Sequence, residues 1–173
     1  MAVRYNEGAM AEIEDTTATE AASPAGETGY LLWHVVNLWQ RRQKEALAPF
    51  DLTPVQYLLL AGLSALKASD SRPVNQSTLA RHCRTDPMMT SQVLRALERG
   101  GLVARRIDTG DGRAVGVALT GKGRSRQRDA APAVAAVERG FFAALGPDVP
   151  AFGDALTVLS GRRPRRRVRA VRG

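Results

Sequence analysis

Within two helical turns, between positions 88 and 95, the chain places Met88, Thr90, Ser91, Gln92 and Arg95. Amide, hydroxyl and guanidinium groups at that spacing suit the edges of base pairs. Glutamine pairs with adenine, arginine with guanine, and a methionine packs on a thymine methyl. One good bidentate pair is worth roughly 1–3 kcal/mol of discrimination between bases. The same side chains on an isolated helix would only solvate its outer face, so the surrounding elements decide their meaning. Upstream, Ser77 and Thr78 stand near a helix start, where hydroxyls and free N–H groups hold phosphate. Downstream, Arg105 and Arg106 suit phosphates. Arg113 suits a minor groove, with Asp111 orienting its guanidinium through a charge-assisted hydrogen bond.

Other chemistries lack their residues. The two histidines, His34 and His82, are far apart and have no metal-ligand partner at close spacing, so no metal and no cofactor are expected. No glycine-rich phosphate loop follows a strand, and there is no nucleophile elbow. Thr120-Gly121-Lys122-Gly123 is better explained as a helix N-cap. We expect no enzyme. The single cysteine, Cys83, precludes an internal disulfide framework. It fits a reducing cytoplasm and reads as a small buried thiol.

The elements that would position these groups are legible around residues 85–120. Asp86 caps a helix and Pro87 fits its first turn. Met89, Val93 and Leu97, with Leu94 one position off, give its apolar stripe. Met88, Thr90, Ser91, Gln92, Arg95 and Arg99 fall on the other face. Gly100-Gly101 stops the helix. VARRID and VGVALT then read as two strands around the turn TGDGRA, with Val103, Arg105 and Ile107 on one face and Ala104 and Arg106 on the other. Val115, Val117 and Leu119 supply the facing apolar row. A polar-faced helix beside a basic hairpin suits duplex DNA and makes a winged helix. Before it, Asn75 starts the helix NQSTLARHC, with Leu79 and Ala80 facing inward. Arg72-Pro73-Val74 suits a short third strand.

The flanks are helical. Residues 28–48 form an amphipathic helix, with Leu31, Val35, Leu38 and Trp39 on one side and Leu32 and Val36 broadening the stripe. Thr53 and Gln56 stand at capping-box spacing ahead of the buried helix VQYLLLAGLSAL, with Pro54 in its first turn and Leu52 placed to staple onto Tyr57. A second long helix, capped by Thr120, runs from Gly121 to about Leu145, with Pro132 expected to kink or interrupt it. After the Gly146-Pro147 break, PAFGDALTVLSG gives a last short helix.

Charge is unevenly spread along the 173 residues, whose net charge is +8. Residues 1–27 hold one Arg against six acidic residues and read as a disordered acidic arm. Residues 162–173 hold seven Arg and no acid. The Arg-rich stretch from 161 onward reads as a disordered tail that either holds phosphates non-specifically or only aids solubility. No apolar run spans a membrane, and the start shows no secretory pattern. A cytoplasmic, nucleoid-associated location follows.

The ordered set TDPMMTSQVLRALERGGLVARR, then Asp108, Asp111 and Arg113, then Leu119, Thr120, Gly123 and Arg124, resembles the MarR family of bacterial transcription regulators over residues 28–160. Gly110 and Gly112 dilute the charge that the family's wing usually carries. The resemblance implies a mainly α fold with a small β-hairpin wing. It places a winged helix-turn-helix lobe at residues 51–120 and helical dimerisation segments at 28–50 and 121–160. It also implies a homodimer on a palindromic operator, with half-sites roughly 34 Å apart, and a small aromatic or phenolic effector between the two parts. Trp33, His34, Asn37, Trp39 and Tyr57 are the residues available for that pocket. Repression relieved by the ligand is the expected output. The alternative is a winged-helix module that binds protein and no specific DNA. The polar, cationic face of residues 88–99 disfavours it, because protein-docking surfaces expose apolar area.

Overall fold

The computed structural model describes residues 27–69, 74–107 and 115–162. The acidic arm through residue 26, the wing tip with Asp108, Asp111 and Arg113, the strand candidates Arg72 and Pro73, and the tail from residue 163 lie outside the described residues. Among the described residues six α-helices and one hairpin follow in order: α1 (Glu27–Leu47), α2 (Pro54–Ser69), α3 (Gln76–Cys83), α4 (Pro87–Arg99), β1 (Val103–Ile107), β2 (Val115–Leu119), α5 (Gly121–Phe142) and α6 (Val149–Leu159). Short 3₁₀ turns, Ala48–Phe50 and Ala143–Asp148, follow α1 and α5.

Local side-chain chemistry sets most of these boundaries. Thr53 and Gln56 form the reciprocal capping box: Gln56 N donates to Thr53 Oγ1 (3.2 Å) and Thr53 N to Gln56 Oε1 (2.9 Å). Asn75 Oδ1 accepts from Thr78 N at 2.7 Å, and Asp86 Oδ1 from Met88 N and Met89 N, both at 2.9 Å. At the end of α4, Gly101 N donates to Glu98 O and Leu102 N to Leu97 O, both at 2.9 Å, with Gly101 at φ +70°. That is a Schellman stop, and the left-handed backbone is why a glycine stands there. Buried Leu97 and Leu102 flank it. α5 does not break at Pro132. It runs through to Phe142, so the exposed proline removes a backbone hydrogen bond without ending the helix.

The strands pair antiparallel, Val103 opposite Leu119 and Ile107 opposite Val115. Val74 extends the sheet by one bridge to Val117, with N–H···O distances of 3.2 and 2.8 Å in the two directions. The expected third strand is this single bridge among the described residues. Leu59, Leu60 and Leu63 of α2, Leu79 of α3, Leu94 and Leu97 of α4 and Val117 and Leu119 of β2 meet in one core with Leu47 and Ala130. Each such leucine contributes about 1.5–3 kcal/mol by leaving water. α2 is thus the central pillar on which the helix-turn-helix, the hairpin and the long flanking helices rest.

Among the described residues no single helix is long and apolar enough to cross a membrane, although α1 and α2 taken together, bent by 75°, pass on length and composition. α2 is in the core, and α1 leaves Tyr30, Leu31, Leu32, Trp33, Val35 and Val36 exposed on its first half. α6 exposes Val149, Leu156, Val158 and Leu159.

Candidate nucleic-acid interface

α3 and α4 meet through a tight turn whose pivot is Arg84, at φ +55°. Thr85 N donates to Ala80 O (3.0 Å) and Arg84 N to Arg81 O (3.4 Å), the same stop that Gly101 makes. A residue with a Cβ costs about 1–2 kcal/mol in this conformation. The turn therefore carries a cation at the expense of some stability.

α4 presents two opposed stripes. Met88, Gln92, Arg95 and Arg99, at spacings of four, three and four, are exposed. Thr90, Leu94 and Leu97 face inward and are buried, with Met89 and Val93 on the shoulders. The apolar stripe is thus centred one residue away from the Met89–Val93–Leu97 line that the sequence suggests.

This corrects one contact residue. Thr90 is 0% exposed and cannot meet a base. Its hydroxyl donates to Asp86 O at 2.7 Å. The 2.8 Å contact between the Thr85 and Thr90 hydroxyls must then have Thr85 as donor, because Thr90's proton is already committed. Both groups brace the first turn of α4 from behind. Spacing would have found this, since Thr90 stands four and seven residues before Leu94 and Leu97 on their own stripe.

The remaining described candidates lie on α3, α4 and β1. Ser77 is exposed near the start of α3, and half-buried Thr78 accepts from Arg81 Nη2 at 3.3 Å. Ser91 is half-buried beside the outward stripe of α4. Arg105 and Arg106 are exposed on β1. Arg105 Nε also pairs with Glu98 Oε2 at 3.3 Å, tying the hairpin to α4. Asp111 and Arg113 lie outside the described residues.

The other end of α4 is clasped to α5. Thr120 Oγ1 lies 2.7 Å from Gly101 O and 3.2 Å from Leu102 O, and it accepts from Gly123 N at 3.0 Å. Lys122 Nζ donates to Gly100 O at 2.9 Å, and Arg124 Nη1 to Leu119 O at 3.0 Å. A Cβ on Gly123 would stand 1.9 Å from Leu102 O, so only glycine fits. The Leu119-Thr120-x-x-Gly123-Arg124 pattern therefore joins the end of α4 to the long helix behind it. Sequence reasoning missed this role because the partners are 18 to 22 residues away.

A cavity of about 700 Å³ lies between α1, α2 and α5. Asn37, Trp39 and Tyr57, all pocket candidates from the sequence, line it. Trp33 (67% exposed) and His34 do not. They sit on the uncovered first half of α1, where His34 stacks on Tyr30 with centroids 6.4 Å apart. No local pattern pointed to Glu138, whose Oε1 accepts from Trp39 Nε1 (3.1 Å) and Gln43 Nε2 (3.2 Å) at the cavity wall. Gln43 is 4% exposed, so this bond satisfies a buried amide. Nearby, Arg126 of α5 donates through Nη1 to Phe50 O and, at 3.2 Å, to Asp51 Oδ2, fixing the loop between α1 and α2.

Cys83 is half-buried, with Sγ 3.7 Å from Leu58 O, and burial pushes its thiol above the ordinary cysteine range. It stays protonated at neutral pH and is a poor nucleophile. Among the described residues no group of three His, Cys, Asp or Glu side chains could hold a metal ion.

Comparison with known proteins gives a consistent picture. The sequence profile of the MarR family matches residues 52–115, the lobe from the end of the first connecting turn to β2. The HTH-type transcriptional regulator YdcH of Bacillus subtilis is 38% identical over 123 residues, covering 71% of this chain and 83% of its own. CouR from Rhodococcus jostii RHA1, solved with p-coumaroyl-CoA, superposes with a TM-score of 0.65 at 30% identity, covering 80% of this chain and 96% of that one. CouR has also been solved on a 23-mer DNA duplex. The MarR family protein Rv2887 of Mycobacterium tuberculosis, solved with salicylic acid, gives a TM-score of 0.60 at 31% identity, covering 79% of this chain and 98% of that one. With the helix-turn-helix, the hairpin and the flanking helices all in place, the chain belongs to the MarR family.

Proposed function

We propose that the chain is a homodimeric, sequence-specific DNA-binding transcriptional regulator, a repressor whose operator binding responds to a small aromatic or phenolic ligand. The observation that carries this is the outward stripe of α4. Gln92, Arg95 and Arg99 are exposed together on a helix braced from behind by Thr85, Thr90 and Asp86 and clasped at its end by Thr120 and Lys122. A rigid polar helix with its donors turned outward is what a major groove requires. Gln92, Arg95, Ser91 and Met88 then meet bases, while Ser77, Thr78, Arg105 and Arg106 hold phosphates. Asp111 and Arg113 belong to this set by sequence alone. A protein-docking face would be apolar, yet Met88 is the one large hydrophobic residue exposed on α4.

Residues 51–120 act as the DNA-binding lobe, with 28–50 and 121–160 as the dimerisation segments. The exposed apolar rows of α1 and α6 support this division, because a second copy of the chain would cover them. Repression and ligand control rest on the relatives: Rv2887 is named a transcriptional repressor, and CouR and Rv2887 are solved with aromatic ligands. The cavity beside α5, which clasps α4, supports the same control here. Catalysis forms no part of this reading. The test is selection of bound duplexes from a random pool at about physiological salt, where non-specific binding is weak. Enrichment of an inverted repeat is expected, and failure to enrich any sequence would overturn the proposal.

A further inference from the structure

The cavity between α1, α2 and α5 holds one acidic group in a largely apolar wall. Val55, Leu58, Ala61 and Val134 supply that wall, Trp39 and Tyr57 add aromatic surface, and Glu138 supplies the acid. The Glu138 carboxylate is positioned but not neutralised. Both of its donors, Trp39 Nε1 at 3.1 Å and Gln43 Nε2 at 3.2 Å, are uncharged, and both go to Oε1. Among the described residues nothing donates to Oε2.

Two cations also line the cavity, Arg41 and Lys44, and they oppose this acid. Both occupy exposed positions on α1, whereas Glu138 is half-buried. Water and salt screen exposed charges much more than a half-buried one. The carboxylate therefore sets the preference for the part of a ligand that enters the apolar wall.

We propose that this cavity selects an aromatic organic cation, a protonated amine whose N–H is donated to Glu138 Oε2. The inference rests on the reading of this cavity as the effector site. A charge-assisted hydrogen bond is stronger than a neutral one, and the aromatic rings of Trp39 and Tyr57 tolerate a cation well. An aromatic carboxylate entering the same way would bring a like charge to Glu138.

A matched pair of probes tests it, 1-naphthylmethylamine and 1-naphthoate, which share a ring and carry opposite charges at neutral pH. Each is titrated calorimetrically into the full chain and into Glu138→Gln, which keeps a side-chain carbonyl for Trp39 and Gln43. The amine is expected to bind wild type about tenfold more tightly than the acid, an advantage of one charge-assisted bond over a repulsion. Glu138→Gln should remove that preference. Ala61→Phe, which puts a ring against the apolar wall where the probes' own ring would lie, should weaken binding of both probes at least tenfold and exclude a surface site such as the acidic arm. If the acid binds wild type as tightly as the amine, or if the amine survives Ala61→Phe, the proposed selectivity is overturned and the effector cavity stands or falls on the acid's response to Ala61→Phe. If neither probe binds at millimolar concentration, the effector cavity is overturned with it. The wild-type ratio decides the matter even if Glu138→Gln does not fold.

Discussion

α4 leaves one stripe uncovered and the first half of α1 is uncovered on every side, and the two surfaces are chemically opposite. α4 shows Gln92, Arg95 and Arg99 beside a single methionine, while the first half of α1 shows Tyr30, Leu31, Leu32, Trp33, Val35 and Val36. Both helices are amphipathic and both rest on the same core. The difference lies in what each exposed surface would have to meet. Hydrated guanidinium and amide groups lose little by waiting in water and gain when they meet phosphates and bases. A row of apolar side chains gains only by leaving water. One surface therefore fits nucleic acid and the other a second copy of the chain.

The largest expected effect comes from breaking the apolar surface. Leu32→Asp with Val36→Asp should give a monomer by sedimentation. Binding to a two-half-site operator should fall about 100-fold or more, because the two lobes no longer act as one ligand. A variant that stays dimeric would show that this surface is not the interface. Next comes the polar stripe. Arg95→Ala should remain dimeric and lose roughly 1–3 kcal/mol of operator binding in a fluorescence anisotropy titration.

Thr90→Val sharpens the contrast within α4 itself. It strips a hydrogen-bond partner from Thr85 and Asp86, so it should cost about 1 kcal/mol in denaturant unfolding. The preferred DNA sequence should stay the same. A changed preference would put Thr90 back among the base contacts. Arg106→Ala should leave sequence preference intact while reducing the slope of log affinity against log salt by about 0.9, the signature of one lost phosphate contact. The smallest effect is chemical. Cys83, its thiol pushed up by burial, should alkylate with iodoacetamide more slowly than a free cysteine at pH 7.5.

What could be read from the sequence divides along the range of the interactions. Thr53 with Gln56, Asn75 with Thr78, Asp86 with Met89 and Thr120 with Gly123 are three residues apart, so each cap is written in a short window, and all four are present. The hairpin was also legible, since two alternating strands around a glycine turn leave few other options. The Glu138–Trp39 and Lys122–Gly100 contacts join residues 99 and 22 positions apart, and no local pattern encodes them. Thr90 is a different case. The stripe of Leu94 and Leu97 was available, but a hydroxyl looks like a surface group until its partners are seen. Trp33 and His34 looked like pocket residues because they share a helix face with Asn37, yet only Asn37 reaches the cavity.

The most direct test of the account compares the duplexes selected by wild type and by Arg95→Ala from the same random pool at about physiological salt. The account predicts an inverted repeat for wild type, and for the variant the same repeat with one position in each half-site relaxed to any base. An identical motif from both proteins would contradict base reading by the exposed stripe of α4, and no motif from wild type would contradict sequence-specific binding altogether.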